Sequence, residues 1–361
     1  MRANTTPRPD ARTAYATPQT DGKRIAWVDC AKALAIIGVM LVHTAIPDAA
    51  KHAIYVALIP LFFYLAGLFA DAHKGLTPRA YLRRQWRRLL LPYFAFGLLH
   101  YVLWWTVGRH FGADAGTTVA AWQPLWGIVW GNADSLTQYV PLWFLPCLFS
   151  TETLYYIGVR PALTRRARLL RMAALALLGA SLSTLEVELP WGLTAALVMI
   201  LFYGLGALTR DAALRPTWPR RQASGLILIA LGGYLLAWWG NPTVAVHQAR
   251  FGSFALFLLG GTGGIILTLA VARSLAHWPV AANPLTFIGR YTLLLLATHL
   301  TLFSIIKGIT VFLLHRPLTL YDSTVASLGL VAAALMLSVP LILLVRRFMP
   351  ALAGLKHRSN R

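Results

Sequence analysis

The chain has 361 residues, 57% hydrophobic and only 12% charged, against about 25% charged in an ordinary soluble domain, which excludes a single soluble globular fold. A net charge of +21 would suit a nucleic-acid binder, but the Arg and Lys residues fall in short segments between long apolar runs, the pattern of membrane topology rather than of nucleic-acid binding. Cys30 and Cys147 are the two cysteines; they cannot build a disulfide framework, and neither has a Cys or His at metal-ligand spacing, so no metal site is expected.

Residues 1–23 are polar, contain Pro7, Pro9 and Pro18, and lack the apolar core of a cleavable signal. They are expected to be a disordered cytoplasmic tail. A membrane domain then runs over 24–348, and 349–361 reads as a basic cytoplasmic tail. Apolar stretches predict transmembrane helices at about 31–47, 53–70, 89–107, 140–159, 172–187, 190–209, 223–239, 252–271, 286–306 and 324–345. The fold class is therefore an all-α polytopic membrane protein of about ten transmembrane helices. With that alternation, 27 Arg and Lys lie on one side and 5 on the other, so both termini are expected to be cytoplasmic.

The first span, "DCAKALAIIGVMLVHTAIP" (29–47), carries ionisable groups where they are costly. Lys32 and His43 are eleven residues apart, about three turns, so they share one helix face at an axial separation of about 16 Å. A cation at the inner mouth can hold a phosphorylated donor. A histidine deeper in can take a proton from an attacking hydroxyl. The alternative is that Lys32 snorkels and pairs with Asp29, while His43 rests at the outer interface.

Further along, the 108–139 loop holds Trp122, Trp126 and Trp130 at a spacing of four, so they line one face if the segment is helical, either lying at the membrane surface or forming a sugar-stacking platform. Glu152 sits within the fourth span, between two and three turns beyond Trp143. It needs a partner there, and could orient His43, help position an acceptor, or remain neutral against a hydroxyl or carbonyl. "GGTGG" (260–264) lies in an apolar run with no preceding strand, so Gly260 and Gly264 suit close helix packing rather than phosphate binding. Asp48 follows the first span, and its direction is unreadable. His100 is read as packing.

"IPLFFYLAGLFAD", "RRQWRRLLLPYFAFGLL", "PLWFLPCLFSTETLYY" and "FIGRYTLLLLATHL" follow in that order. With the Lys-x10-His pair, this series resembles the membrane acyltransferase-3 family, most of all its fucose 4-O-acetylase-like and exopolysaccharide O-acetyltransferase branch. The resemblance covers nearly everything after residue 24. It implies an O-acetyltransferase of the bacterial inner membrane, with acetyl-CoA as donor substrate and a carbohydrate hydroxyl, free or lipid-linked, as acceptor. No tightly bound cofactor is implied. The resemblance makes His43 the catalytic base, assigns donor contacts to Lys32 and to the R-x-x-R pair Arg84 and Arg87, and makes His299 a pocket residue. Glu152 joins the catalytic candidates on its position within a span, and Asp29 and Trp143 are expected to lie at the pocket. Lys32 stands where the family usually has arginine, which keeps the charge but loses the bidentate fork. A secondary transporter or glycan exporter without acyl-transfer chemistry is the rival reading. It would usually carry an internal repeat, and none is visible.

Overall fold

The computed structural model describes residues 24–111, 115–215, 220–349 and 352. The expected tail at 1–23 and nearly all of that at 349–361 lie outside the described residues. Among the described residues thirteen α-helices run in chain order: α1 Ala26–Val42, α2 Asp48–Gly67, α3 Pro78–Gln85, α4 Leu91–Leu103, α5 Trp122–Trp130, α6 Phe144–Leu154, α7 Arg165–Thr184, α8 Leu193–Ala213, α9 Arg220–Gly240, α10 Phe254–Ala276, α11 Pro279–Arg290, α12 Thr292–Gly308 and α13 Thr324–Phe348. Among the described residues there is no β-strand, only an isolated bridge between Ala245 and Arg250. This is the architecture hydrocarbon demands, since helices satisfy every backbone N–H and C=O internally.

Eight helical segments among the described residues are long and apolar enough to cross a bilayer. Two of the expected spans fall outside that set. The first is α1, which has 17 residues. The second is the 140–159 segment, where the 11 residues of α6 are flanked by a 3-10 turn, Val140–Trp143, and a π turn, Tyr155–Val159. The third span is longer than expected, because α3 and α4 are joined by a π turn, Trp86–Leu90, into one helical run from Pro78 to Gly108. Pro92 has no N–H for the carbonyl of Arg88, so the ladder is already broken near this point. The expected span at 286–306 is divided. Helix α11 ends at Arg290, and α12 starts at Thr292 after a non-helical Tyr291.

Helix α1 is the centre of the bundle. It packs against α2, α10, α11, α12 and α13, which explains why 12 of its 17 residues are buried. Helices α7 and α9, by contrast, expose Leu177, Leu178, Leu228 and Ile229, the apolar surface that lipid would cover. In lipid, close approach rather than water exclusion holds helices together, so small residues mark the contacts. Gly264 of α10 faces the Ala57 backbone of α2, and Gly260 faces Ala237 and Val56, as their spacing predicts. Helix α5 exposes Trp122 and Trp126 and half-buries Trp130, with Trp126 stacked on Trp130 at 6.1 Å.

Candidate functional site

A cavity of about 340 Å³ runs beside α1. One end is lined by Lys32, Arg88 and Arg290, and the other by His43, Tyr55, Trp143 and His247. Between them the walls are apolar, chiefly Leu58, Ile59, Phe62, Phe144 and Leu296. Because Lys32 and His43 share a face of one helix, both line the same space, as the eleven-residue spacing predicts.

The cationic end is built by three elements. On α1, Lys32 pairs with Asp29 at 3.8 Å, and Arg24 approaches the other Asp29 oxygen at 3.7 Å. The Asp29 pairing and the cavity position therefore both hold for Lys32. Arg290 arrives because α11 lies directly on α1: a Cβ on Gly289 would come within 1.9 Å of the Asp29 carbonyl oxygen. Only glycine allows that backbone contact, and it places the next residue, Arg290, at the cavity mouth.

Arg88 comes from the π turn. Its guanidinium donates to Gln85 Oε1 at 3.1 and 2.8 Å, and it pairs with Glu152. Gln85 in turn donates to Glu152 and to the Tyr81 hydroxyl. Charge-assisted bonds to two acceptors hold this guanidinium in a fixed direction. Three cations line this end against two carboxylates, which favours an anion.

The expected roles are redistributed accordingly. Glu152 does not orient His43; its partners are Arg88 and Gln85, with His73 Nε2 at 3.8 Å. Arg84 and Arg87 are exposed and do not line the cavity, and Arg84 donates to the Ala72 carbonyl at 2.7 Å. Their neighbour Arg88, which the R-x-x-R pattern does not include, takes the inward position. The wide π turn Trp86–Leu90, which contains Arg88, changes the helix phase, and the one-letter pattern carries no signal of it beyond Pro92. Arg290 stands in the quoted "FIGRYTL" block, where a continuous span conceals its role. His73, outside the spans, is pushed down to about 4 by burial, with Glu152 opposing and the neighbouring arginines assisting.

At the opposite end α1 stops at His43, whose φ of −91° and ψ of 18° leave the helix. His247 reaches it from the loop between α9 and α10, stacked against Tyr55 at 6.1 Å and close to Trp143 at 6.4 Å. Burial lowers the His247 pKa, while Asp134 opposes that shift and Arg250 reinforces it. Nearby, burial and Asp134 raise the carboxyl of Glu188, which accepts from Asn132 Nδ2 at 3.4 Å. No sequence signal points to His247, because a tertiary contact alone brings it in. His299 of α12 is fully buried and lies behind His43, with ring centroids 5.3 Å apart.

Asp48 opens α2 and pairs with Lys51 at 3.2 Å. His100 stacks on Tyr139 at 3.8 Å and bonds the Ala297 carbonyl, a packing role. Among the described residues no group of His, Cys, Asp and Glu could hold a metal ion.

The fold and site thus define a helical membrane protein whose central helix carries a cation and a histidine at the two ends of one cavity. The profile of the acyltransferase-3 family, described as an acyltransferase domain, matches residues 25–347, so the chain belongs to that family and is a membrane acyltransferase. No match was found among curated proteins or among solved structures.

Proposed function

We propose that the protein transfers an acetyl group from acetyl-CoA to a hydroxyl of a bacterial exopolysaccharide, its lipid-linked precursor or another surface glycan. It would do so as a ten-span protein of the inner membrane with both termini cytoplasmic. The observation that carries the reading is the single cavity connecting Lys32, Arg88 and Arg290 with His43. Phosphates of the donor would meet the three cations, with Arg88 and Arg290 offering planar forks that Lys32 lacks. Arg84 and Arg87, outside the cavity, would serve as a first electrostatic contact on the cytoplasmic surface. The extended pantetheine arm would follow the apolar walls and bring its thioester to His43, about 16 Å along the helix.

There His43 takes the proton of the acceptor hydroxyl as its oxygen attacks the thioester carbon. The tetrahedral intermediate expels the CoA thiolate, which takes the proton back from the imidazolium. Atoms and charge balance without any further reactant. General-base help of this kind is worth about 10²–10⁴-fold in rate. Trp143 and Tyr55, with His247 between them, offer ring faces at the acceptor end.

The test compares a deletion strain carrying the wild-type protein with one carrying His43→Ala at equal membrane abundance. Proton NMR of surface and secreted polysaccharide should show one O-acetyl signal lost with the glycan still exported. Normal acetylation in the variant would refute the role of His43, and unchanged acetylation with reduced export in the deletion would refute acetyl transfer itself.

A further inference from the structure

His299 is fully buried, and its two ring nitrogens have unlike surroundings. Nδ1 lies 2.9 Å from the Leu295 carbonyl, 3.0 Å from the Leu296 carbonyl and 3.4 Å from the Tyr139 hydroxyl. That hydroxyl is itself engaged. It donates to the Leu296 carbonyl at 3.1 Å and accepts from the Leu300 N–H at 3.2 Å, inserting itself into a rung of α12. Nδ1 therefore faces acceptors and must carry the proton. In a neutral imidazole the other nitrogen then holds a lone pair. Nε2 is buried without a hydrogen-bond partner, a position that normally costs about 1–3 kcal/mol and requires an explanation.

The His43 ring, which lines the cavity, has its centroid 5.3 Å from that of His299, nearer than the Tyr139 ring at 6.0 Å. We propose that His299 is a positioning residue for His43: with the ring centroids 5.3 Å apart, a turn of the His43 ring lets the unpartnered Nε2 accept one His43 ring N–H, leaving the other His43 nitrogen as a free base. This rests on the reading of His43 as the general base. The arrangement has the logic of any base held by a third group, with Tyr139 and the α12 carbonyls fixing the tautomer of the holder. When His43 takes up a proton, the same bond becomes charge-assisted and strengthens. The other groups around the pair are His247 and Lys51 on the His43 side, and His100 and Tyr139 on the His299 side.

Two substitutions separate the two nitrogens of His299. His299→Asn keeps a donor near the Nδ1 position for the carbonyls and removes the acceptor. His299→Gln places an amide oxygen near the Nε2 position. Full-length protein in nanodiscs, labelled with nitrogen-15 histidine, is compared as wild type, both variants and His43→Ala, the last assigning the His43 signals. Expected is a single His43 tautomer in the wild type and His299→Gln, and a tautomer mixture in His299→Asn. Acyl transfer from acetyl-CoA should fall about 10–100-fold in kcat in His299→Asn, the size of loss seen when the hydrogen-bond partner that orients a metal-bound histidine is removed. Donor KM should stay unchanged, and His299→Gln should recover most of the rate.

Identical His43 signals in wild type and His299→Asn would overturn the proposal, as would equal rates in the two His299 variants. If His299→Asn does not fold, a tautomer mixture at His43 in the wild type overturns it alone, and a single tautomer kept in His299→Gln upholds it. Retained transfer in His43→Ala would remove the catalytic reading of His43, while the nitrogen-15 signals would still decide whether the two rings are bonded.

Discussion

Replacing Gly289 by alanine tests how Arg290 reaches the cavity. The new Cβ would lie 1.9 Å from the Asp29 carbonyl oxygen and 2.6 Å from its carbon, where ordinary contact begins near 3.4 Å. The obstacle is backbone on both sides, so no side chain can swing away, and α11 must retreat from α1 by about 1.5 Å. Overpacking of this kind costs about 1–3 kcal/mol, seen as a lower thermal midpoint of the purified protein in a fixed detergent. Arg290 is the next residue, so the same retreat carries its guanidinium away from Lys32 and Arg88. Donor KM should rise about 10-fold, equivalent to about 1.4 kcal/mol of binding, with a smaller change in kcat because His43 lies at the other end of α1. Transfer assayed across a range of acetyl-CoA concentrations separates the two parameters. A variant with wild-type midpoint and wild-type KM would refute both the contact and the placement of Arg290.

Glu152 should matter through Arg88 rather than through His43. Glu152→Gln should destabilise the fold by about 1–3 kcal/mol, less than for a fully buried pair because the Arg88 side chain is 36% exposed. Combining it with Arg88→Gln should recover part of that loss in thermal melts, and strictly additive losses would sink the pairing. His73 supplies a pH signature. The unfolded chain binds a proton at this residue near pH 6.5, whereas folded His73 does so only at about 4. Stability should therefore fall as pH drops through that window, and His73→Gln should flatten the slope; parallel stability curves for the two proteins would contradict the buried neutral state.

Much of the fold could be read from residue order alone, because membrane helices need only length and apolar content. Lys32 and His43 were equally legible, since both lie on one helix and helical pitch fixes their relation. The limits were set by departures from regular pitch. A π turn at Trp86–Leu90 moved the inward arginine from the R-x-x-R pair to Arg88. A break at Tyr291 turned one expected span into two helices and released Arg290 to the cavity mouth. Glu152 reads from sequence as a buried carboxylate in need of a partner, but which partner it meets depends on how α6 packs on the Pro78–Gly108 run. His247 belongs to a loop, where neither periodicity nor hydropathy gives any indication of depth.

Since one unbroken helix carries Lys32 and ends at its cap residue His43, the distance between them behaves as a ruler with coarse graduations. Adding or removing one residue between them would rotate one end by about 100° and take it out of the cavity. Lengths that return both groups to the same face come only in whole turns, steps of about 5.4 Å. Such steps are far wider than one methylene, so the ruler can register a donor's arm but cannot grade its acyl chain. Any discrimination among acyl chains must then be set by side chains at the His43 end, such as Tyr55 and Trp143, which change in finer increments. Relatives that accept other acyl groups would be expected to differ there while keeping the eleven-residue interval.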